Sequence, residues 1–317
     1  MRLPEYIWKR SVLKQTRHRR KEVLPMAGGL PVAGIHPSEH TGYVMVSAPV
    51  ENSTGLLPLL RRILAAGAEP VGLLGHLMLP EGTPEQTLRA GMIQLEKACQ
   101  QYNLEIMQME VSYTNVVNRP VLQATLCGKK DCVEGGLKRG EAHVGQNIVM
   151  TGQTGLAGVQ KLLGQEMTDY PEGNGPVHGR FPGYFIQRVE QWDNTRLPYL
   201  ECQLAGEYQV TAMQAAGEGG VYDALWQLGE STGCGLEVDL YQIPIRQEII
   251  EITEVFEKDP YQLDADGVLL MVTDRGSELA ERLCREGVPA QVIGRIQEGR
   301  DRVICYHDER RFLGASK

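Results

Sequence analysis

The stretch from Asn147 to Leu163 constrains this chain more than any other. A β-forming run, Asn147-Ile-Val-Met150, meets the turn Thr151-Gly-Gln-Thr-Gly-Leu-Ala-Gly158, and a helical pattern runs from Leu156 to Leu163. A strand passing this tightly into a helix belongs in a layered α/β domain. At such a junction the first-turn N–H groups are unpaired and the positive end of the helix dipole faces outward. Glycine lets the backbone approach an anion, so Thr151, Gly152, Gly155 and Gly158 are candidate phosphate contacts. The turn is not a Walker A loop, since it lacks the Gly-Lys-Ser/Thr ending, and it is a poor dinucleotide fingerprint. The same glycines also serve if they only permit tight packing, and the turn alone leaves both readings open.

The chain has 317 residues, for which two cores are the natural expectation, and its 42% hydrophobic content can fill them. Tyr43–Pro49 reads as a strand, Leu56–Ala66 as a helix ended by Gly67, and Val71–Leu79 as a strand. Thr83-Pro84-Glu85-Gln86 has the form of a capping box with proline at the first helical position. Behind it Leu88, Met92, Leu95, Cys99 and Tyr102 recur at helical spacing. Leu104–Ser112 and Pro120–Leu126 complete a unit of four strands and two helices. The polar, glycine-rich run 127–140 places the domain boundary, giving domains 1–137 and 138–317.

In the second domain, 168–182 is rich in Gly and Pro and reads as a long loop. Strands are expected at 208–213, 236–240, 268–272, 290–293 and 302–306, and helices at 220–231, 245–256 and 277–285. This order suits an α+β sheet with helices on one face.

Charge and composition exclude several classes. The first residues lack the apolar core of a signal peptide, and the most apolar stretch, Leu56–Leu79, is broken by Arg61, Arg62, Glu69, Pro70 and His76. No membrane span is expected. Seven scattered cysteines do not form a secreted disulfide framework, so reduced thiols in a cytoplasm are expected. Residues 1–30 carry eight Lys/Arg against Glu5 and Glu22, a net +6 on a chain of net −8, so the rest stands at −14. This basic arm is expected to dock on its own acidic body, on a partner subunit or over a bound nucleotide. Nucleic acid is disfavoured, because the acidic body would repel it.

Two further features can carry chemistry. Gly217-Glu218-Gly219-Gly220 opens the helix containing Trp226; Glu218 there can face a metal, polarise a substrate group or cap the helix. Glu110 ends a strand among apolar neighbours and is either a cation ligand or the partner of a cation such as Arg119. Cys127 and Cys132 lack a second pair for zinc, and histidines 18, 36, 40, 76, 143, 178 and 307 show no metal-ligand spacing.

Several of these stretches, taken in order, resemble one family. Leu64-Ala-Ala-Gly-Ala-Glu-Pro70, Leu79-Pro-Glu-Gly-Thr-Pro84 and Val117-Asn-Arg-Pro120 are similar to the first domain of the aminoimidazole ribonucleotide (AIR) synthetase superfamily. Gln146–Gly158, Gly217–Leu225, Gly233–Asp239 and Ile243–Arg246 resemble its second domain. Asp259-Pro-Tyr-Gln-Leu-Asp-Ala-Asp-Gly267 is similar to the hydrogenase maturation factor that dehydrates a thiocarbamate. The resemblance implies an α+β first domain that pairs with its twin in a shared barrel, hence a homodimer, and an α/β second domain. It also implies ATP held with magnesium, for chemistry in which an oxygen atom is activated by phosphorylation.

The chain departs from the family at its metal-binding aspartates. Gly34-Ile-His-Pro-Ser-Glu39 stands for Gly-Asp-Asp-Ala, Ser47-Ala48 for Thr-Asp, and Arg61-Arg62 for Asn-Asp. Arginine in place of acid changes the local preference from cation to anion. The resemblance therefore implies a nucleotide-binding protein with a rearranged acid set, with Glu110 and Glu51 as metal candidates. The other reading is a non-catalytic dimer that binds an anionic small molecule at Arg61 and Arg62, or a protein partner.

Overall fold

The computed structural model describes residues 4–20, 23–24, 34–35, 41–50, 55–131 and 141–314. Glu51, His36, Glu39, His40 and Cys132 lie outside them. The chain divides into two compact units, 1–137 and 138–317.

The first unit opens with helix α1 (Glu5–Ser11) and a two-stranded ribbon, β1 (Val23–Leu24) with β2 (Gly34–Ile35). Then follow β3 (Thr41–Val50), α2 (Leu56–Ala65), β4 (Glu69–Pro80), α3 (Glu85–Gln101), β5 (Glu105–Thr114) and β6 (Val121–Asp131). The sheet order is β3-β6-β4-β5, antiparallel except for the parallel pair β4 and β5 that α3 connects. Helix α2 forms because Leu56, Leu60, Ile63 and Leu64 fall on one stripe, all buried against the sheet. Each such side chain contributes about 1.5–3 kcal/mol by leaving water. On α3, Leu88, Met92, Leu95 and Cys99 are buried as the spacing predicts. On the other face the β1–β2 ribbon packs through Val23 and Ile35 on Tyr43, Leu74 and Cys127, and beyond it Met45 is 64% exposed beside Ser47, whose hydroxyl lies 2.9 Å from that of Thr125.

The expected capping box does not form. Pro84, with an extended backbone, precedes α3, and the Thr83 hydroxyl donates to the Pro80 carbonyl oxygen at 2.7 Å. The Glu85 carboxylate is taken by the N-terminal arm, through Arg10 Nε (2.7 Å) and the Ser11 hydroxyl (2.6 Å). The arm thus docks on its own acidic body. Trp8 is buried and its indole N–H donates to the Met109 carbonyl oxygen at 3.0 Å. Glu105, 2% exposed, accepts the main-chain N–H groups of Arg19 (2.8 Å) and Arg20 (2.7 Å) and lies 2.6 Å from His18 Nδ1. Arg20 in turn reaches Glu69 at 2.6 Å.

The second unit contains β7 (Asn147–Thr151), α4 (Leu156–Asp169), α5 (Gly183–Glu190), α6 (Tyr199–Glu207), β8 (Ala212–Ala215), α7 (Gly220–Thr232) and β9 (Gly235–Asp239). It continues through α8 (Gln247–Val255), β10 (Leu269–Thr273), α9 (Gly276–Arg285), β11 (Ala290–Gln297), β12 (Arg302–Tyr306) and β13 (Glu309–Phe312). The seven-stranded order is β13-β12-β9-β11-β7-β10-β8, and only β9 and β12 run parallel. Ile148 and Met150 of β7 join Leu270, Val272, Val238 and Ile293 against Val221, Leu225 and Leu228 of α7. A second cluster, Val159, Leu163, Val189, Ile249 and Ile252, joins α4, α5 and α8.

Three expectations are corrected here. Helices cover both faces of the sheet, since α9 packs on β7 and β11 with Gly276 seated against Asn147, on the face opposite Ile148. The strand expected at 208–213 lies at 212–215, because Tyr208 closes α6 and its N–H bonds to Leu204. Helices α5 and α6 and strand β13 were not anticipated. Among the described residues no helix is long and apolar enough to cross a membrane, and none of the described cysteines forms a disulfide.

Candidate functional site

Both glycine turns of the second unit close on one segment, residues 259–268. Gly152 and Gly155 have φ of +83° and +70°, in the left-handed region that a side chain disfavours. The turn they shape packs tightly. A Cβ on Gly155 would stand 2.9 Å from the Pro260 carbonyl oxygen, and one on Gly158 would stand 2.8 Å from Leu263 Cβ. Main-chain bonds fix the contact: Gly158 N–H donates to Asp264 O (2.8 Å), Thr154 N–H to Pro244 O (3.0 Å) and Gly152 N–H to Pro289 O (3.0 Å). From the other side, Ala265 N–H donates to Gly217 O at 3.0 Å and Tyr222 N–H to Tyr261 O at 3.3 Å. Gly220, with φ +73°, has no room for a Cβ against Tyr261 and Gln262. Tyr222 and Tyr261 stack with ring centroids 5.3 Å apart. Burial, and after it the charge of Asp259, pushes the Tyr222 phenol up to about 12, so it stays protonated.

The tight packing uses several of the donors that the turn offers to an anion, but not all. Among the described residues, the N–H groups of Leu156 and Ala157 at the start of α4 have no acceptor. The hydroxyls of Thr151 and Thr154, both residues 1% exposed or less, have no hydrogen-bond partner either. Buried hydroxyls are normally paired. Their position at a helix N-terminus suits an acceptor-rich group.

Charge gathers on the same segment. Asp259 and Asp264 each accept the N–H two residues on, from Tyr261 (3.0 Å) and Asp266 (2.9 Å), so both carboxylates are held in turns. Asp264 Oδ2 also accepts Lys161 Nζ of α4 at 2.5 Å. Partial burial works to lower the Lys161 pKa. It is outweighed by the Asp264 hydrogen bond and by the charges of Asp264, Glu218 and Asp266, which raise it above its ordinary 10.5. Glu218 is exposed and makes no cap bond to α7; Gly219 takes the cap position. One ammonium thus stands among three carboxylates beside the start of α4. Lys161, Asp264 and Asp266 were not among the candidates from sequence. Lys161 meets Asp264 across 103 residues, and the visible signal was the aspartate-rich segment itself.

The first-unit candidates are not brought together. Arg61 is 2% exposed within α2, whereas Arg62 on the next position is exposed. Glu110 is exposed on β5 opposite His76 in the ladder, and it makes no ion pair among the described residues, with Arg119 or any other cation. Among the described residues no three His, Cys, Asp or Glu side chains are placed to hold a metal ion. No metal-binding group is therefore assembled among the described residues, and Glu51 lies outside them.

The family model for AIR synthase related proteins, C-terminal domain, matches residues 143–306. A protein of Methanocaldococcus jannaschii named for hydrogenase expression and formation is 24% identical over 232 residues, 72% of this chain and 64% of its own length. The chain therefore spans just under two thirds of that relative. Among solved structures, thiamine-monophosphate kinase of Stenotrophomonas maltophilia superposes with a TM-score of 0.70 at 17% identity, over 96% of this chain and 97% of that one. The hydrogenase maturation protein HypE in complex with ATP superposes with a TM-score of 0.69 at 15% identity, over 93% and 89% of the two chains. These likenesses show the fold.

Proposed function

The chain belongs to the AIR synthase related proteins, and on that premise we propose that it binds a nucleotide, with ATP as the reference ligand, where the two glycine turns meet segment 259–268. The observation that carries this reading is the convergence of both turns on one charged segment, beside a helix start that keeps two free main-chain donors and two unpartnered buried hydroxyls. Leu156 and Ala157 N–H, Thr151 and Thr154 would hold phosphate oxygens, and the Lys161 ammonium would balance their charge. A solved structure of the same fold carries ATP, which supports the choice of nucleotide.

Thermal unfolding with ATP, with and without magnesium, tests the reading. A ligand at a hundredfold its Kd stabilises by about 2.7 kcal/mol, which the scan resolves. Lys161→Ala should weaken ATP by about tenfold, as expected for a lost charge-assisted contact. Absence of any shift under both conditions, together with no heat of binding in calorimetry, would sink the reading.

The part of this sheet face that the β1–β2 ribbon leaves uncovered in the first unit, together with edge strand β3, supports a second element of the proposal, a homodimer formed there. Met45 stands 64% exposed there on β3, an edge strand of the sheet, and such an edge invites a partner. Light scattering should give twice the chain mass, falling to one chain mass in Met45→Glu; a monomeric native protein overturns it. Arg61 and Arg62 do not support a shared anion site, since burial withdraws one of the two.

A further inference from the structure

At the Asn147 end of β7, remote from the glycine turn that follows Thr151, the part of the second unit's sheet that α9 leaves uncovered on its own face holds a cavity of about 460 Å³. Its floor is made by β9, β11 and β12. The two-residue period of a strand puts Glu237 and Asp239 on the same face of β9, and the ladders set Arg295 beside Glu237 and Cys305 beside Asp239. Glu237 accepts Arg295 at 2.8 Å through one oxygen and Arg310 at 2.7 Å through the other. Two guanidinium groups on one carboxylate leave this end of the cavity with a net positive charge. Asp239 makes the other end negative. One of its oxygens accepts the Tyr241 N–H at 3.0 Å, and the second has no partner among the described residues. The two poles lie two residues apart along β9, about 6.6 Å.

Over the Asp239 end stands an aromatic wall. Tyr241 stacks on Tyr306 with centroids 5.0 Å apart, and His307 meets both edge-on at 4.8 Å. The Tyr241 hydroxyl bonds His307 Nε2. Hydrogen bonding with Tyr306 pushes the Tyr241 phenol up to about 12, so Tyr241 stays protonated at neutral pH. A π-face beside a carboxylate favours a cation, and the guanidinium pair favours a carboxylate. A cavity of this size, with few convergent polar groups, has the proportions of a small-molecule site.

We propose that this cavity is a second binding site, distinct from the glycine turns, for a small zwitterion of the amino-acid class, its ammonium at Asp239 and its carboxylate at Arg295. Isothermal calorimetry and amide chemical shifts with glycine, β-alanine and γ-aminobutyrate test it, with butylamine and butyrate as single-charge controls. At least one zwitterion should saturate and shift residues of β9 and β12, and bind at least about tenfold better than either control. Asp239→Asn keeps an acceptor for the Tyr241 N–H and hence the fold, which an unchanged melting curve verifies. That variant and Arg295→Gln should each weaken the zwitterion by about tenfold. The proposal is overturned if no zwitterion saturates, if butylamine or butyrate binds as well, or if both variants bind like the native chain.

Discussion

The main-chain N–H of Gly158 donates to the carbonyl oxygen of Asp264 at 2.8 Å, and this bond ties the first turn of α4 to the acidic segment that both glycine turns share. The contact exists because position 158 has no side chain. It sets up a paired experiment on one helix.

Gly158→Ala introduces a Cβ 2.8 Å from Leu263 Cβ and 3.0 Å from Asp264 N, both on rigid neighbours. The segment must move away, at a cost of about 1–3 kcal/mol. Gly164→Ala, on the exposed side of the same helix, meets nothing within 4 Å and should stabilise by up to about 1 kcal/mol through backbone entropy. Urea denaturation of the two variants should move in opposite directions; a shared direction would disprove the packing account.

Glu105 anchors the arm, so Glu105→Ala leaves three donors, from His18, Arg19 and Arg20, without their acceptor. Each buried donor left unpaired costs about 1–3 kcal/mol, and the arm should detach. Trypsin should then cut at Arg17, Arg19 and Arg20 under conditions where the native chain resists. Equal digestion of both proteins would show that the arm is held by other contacts.

Glu96 supplies a pH test. Its carboxyl is held above its ordinary value of 4.5, chiefly by burial, which exceeds the opposing hydrogen bond and charge of Arg19. A raised folded-state pKa means that folding favours the proton. The contribution is fully present below pH 4.5 and is lost as pH rises through the folded value. Glu96→Gln should therefore raise the urea midpoint at pH 7 and flatten the decline above pH 4.5. A midpoint lowered at pH 7 would instead make the Arg19 pair the dominant effect.

What the sequence disclosed follows the range of the forces involved. The helices with a strong apolar stripe, α2 and α3, and the glycine turn at Gly152 and Gly155 are local, and their residues announce them. Helix α5 opens with glycine inside a Gly/Pro-rich stretch, and it is held because Ile186 and Val189 are buried against α4 and α8. Helix α6 has almost no apolar stripe. Its buried positions are Leu204 and Glu201, the latter paired with Arg196. The capping pattern at Thr83 misled because the Thr83 hydroxyl turns back to the Pro80 carbonyl oxygen, while the neighbouring Glu85 is claimed by the arm from 75 residues away. At the site, the glycines were visible and the charges were not: Lys161 and Asp264 become neighbours only once the second unit has folded.

The arm also has a consequence for how the chain is made. Trp8 leaves the ribosome 101 residues ahead of Met109, whose carbonyl it needs. At about 5–20 residues per second the wait is roughly 5–20 s. During that time a tryptophan and a run of arginines are presented to the cell with nothing of their own to cover them. Synthesis order leaves this segment without its docking surface until β5 has emerged and the arm can settle.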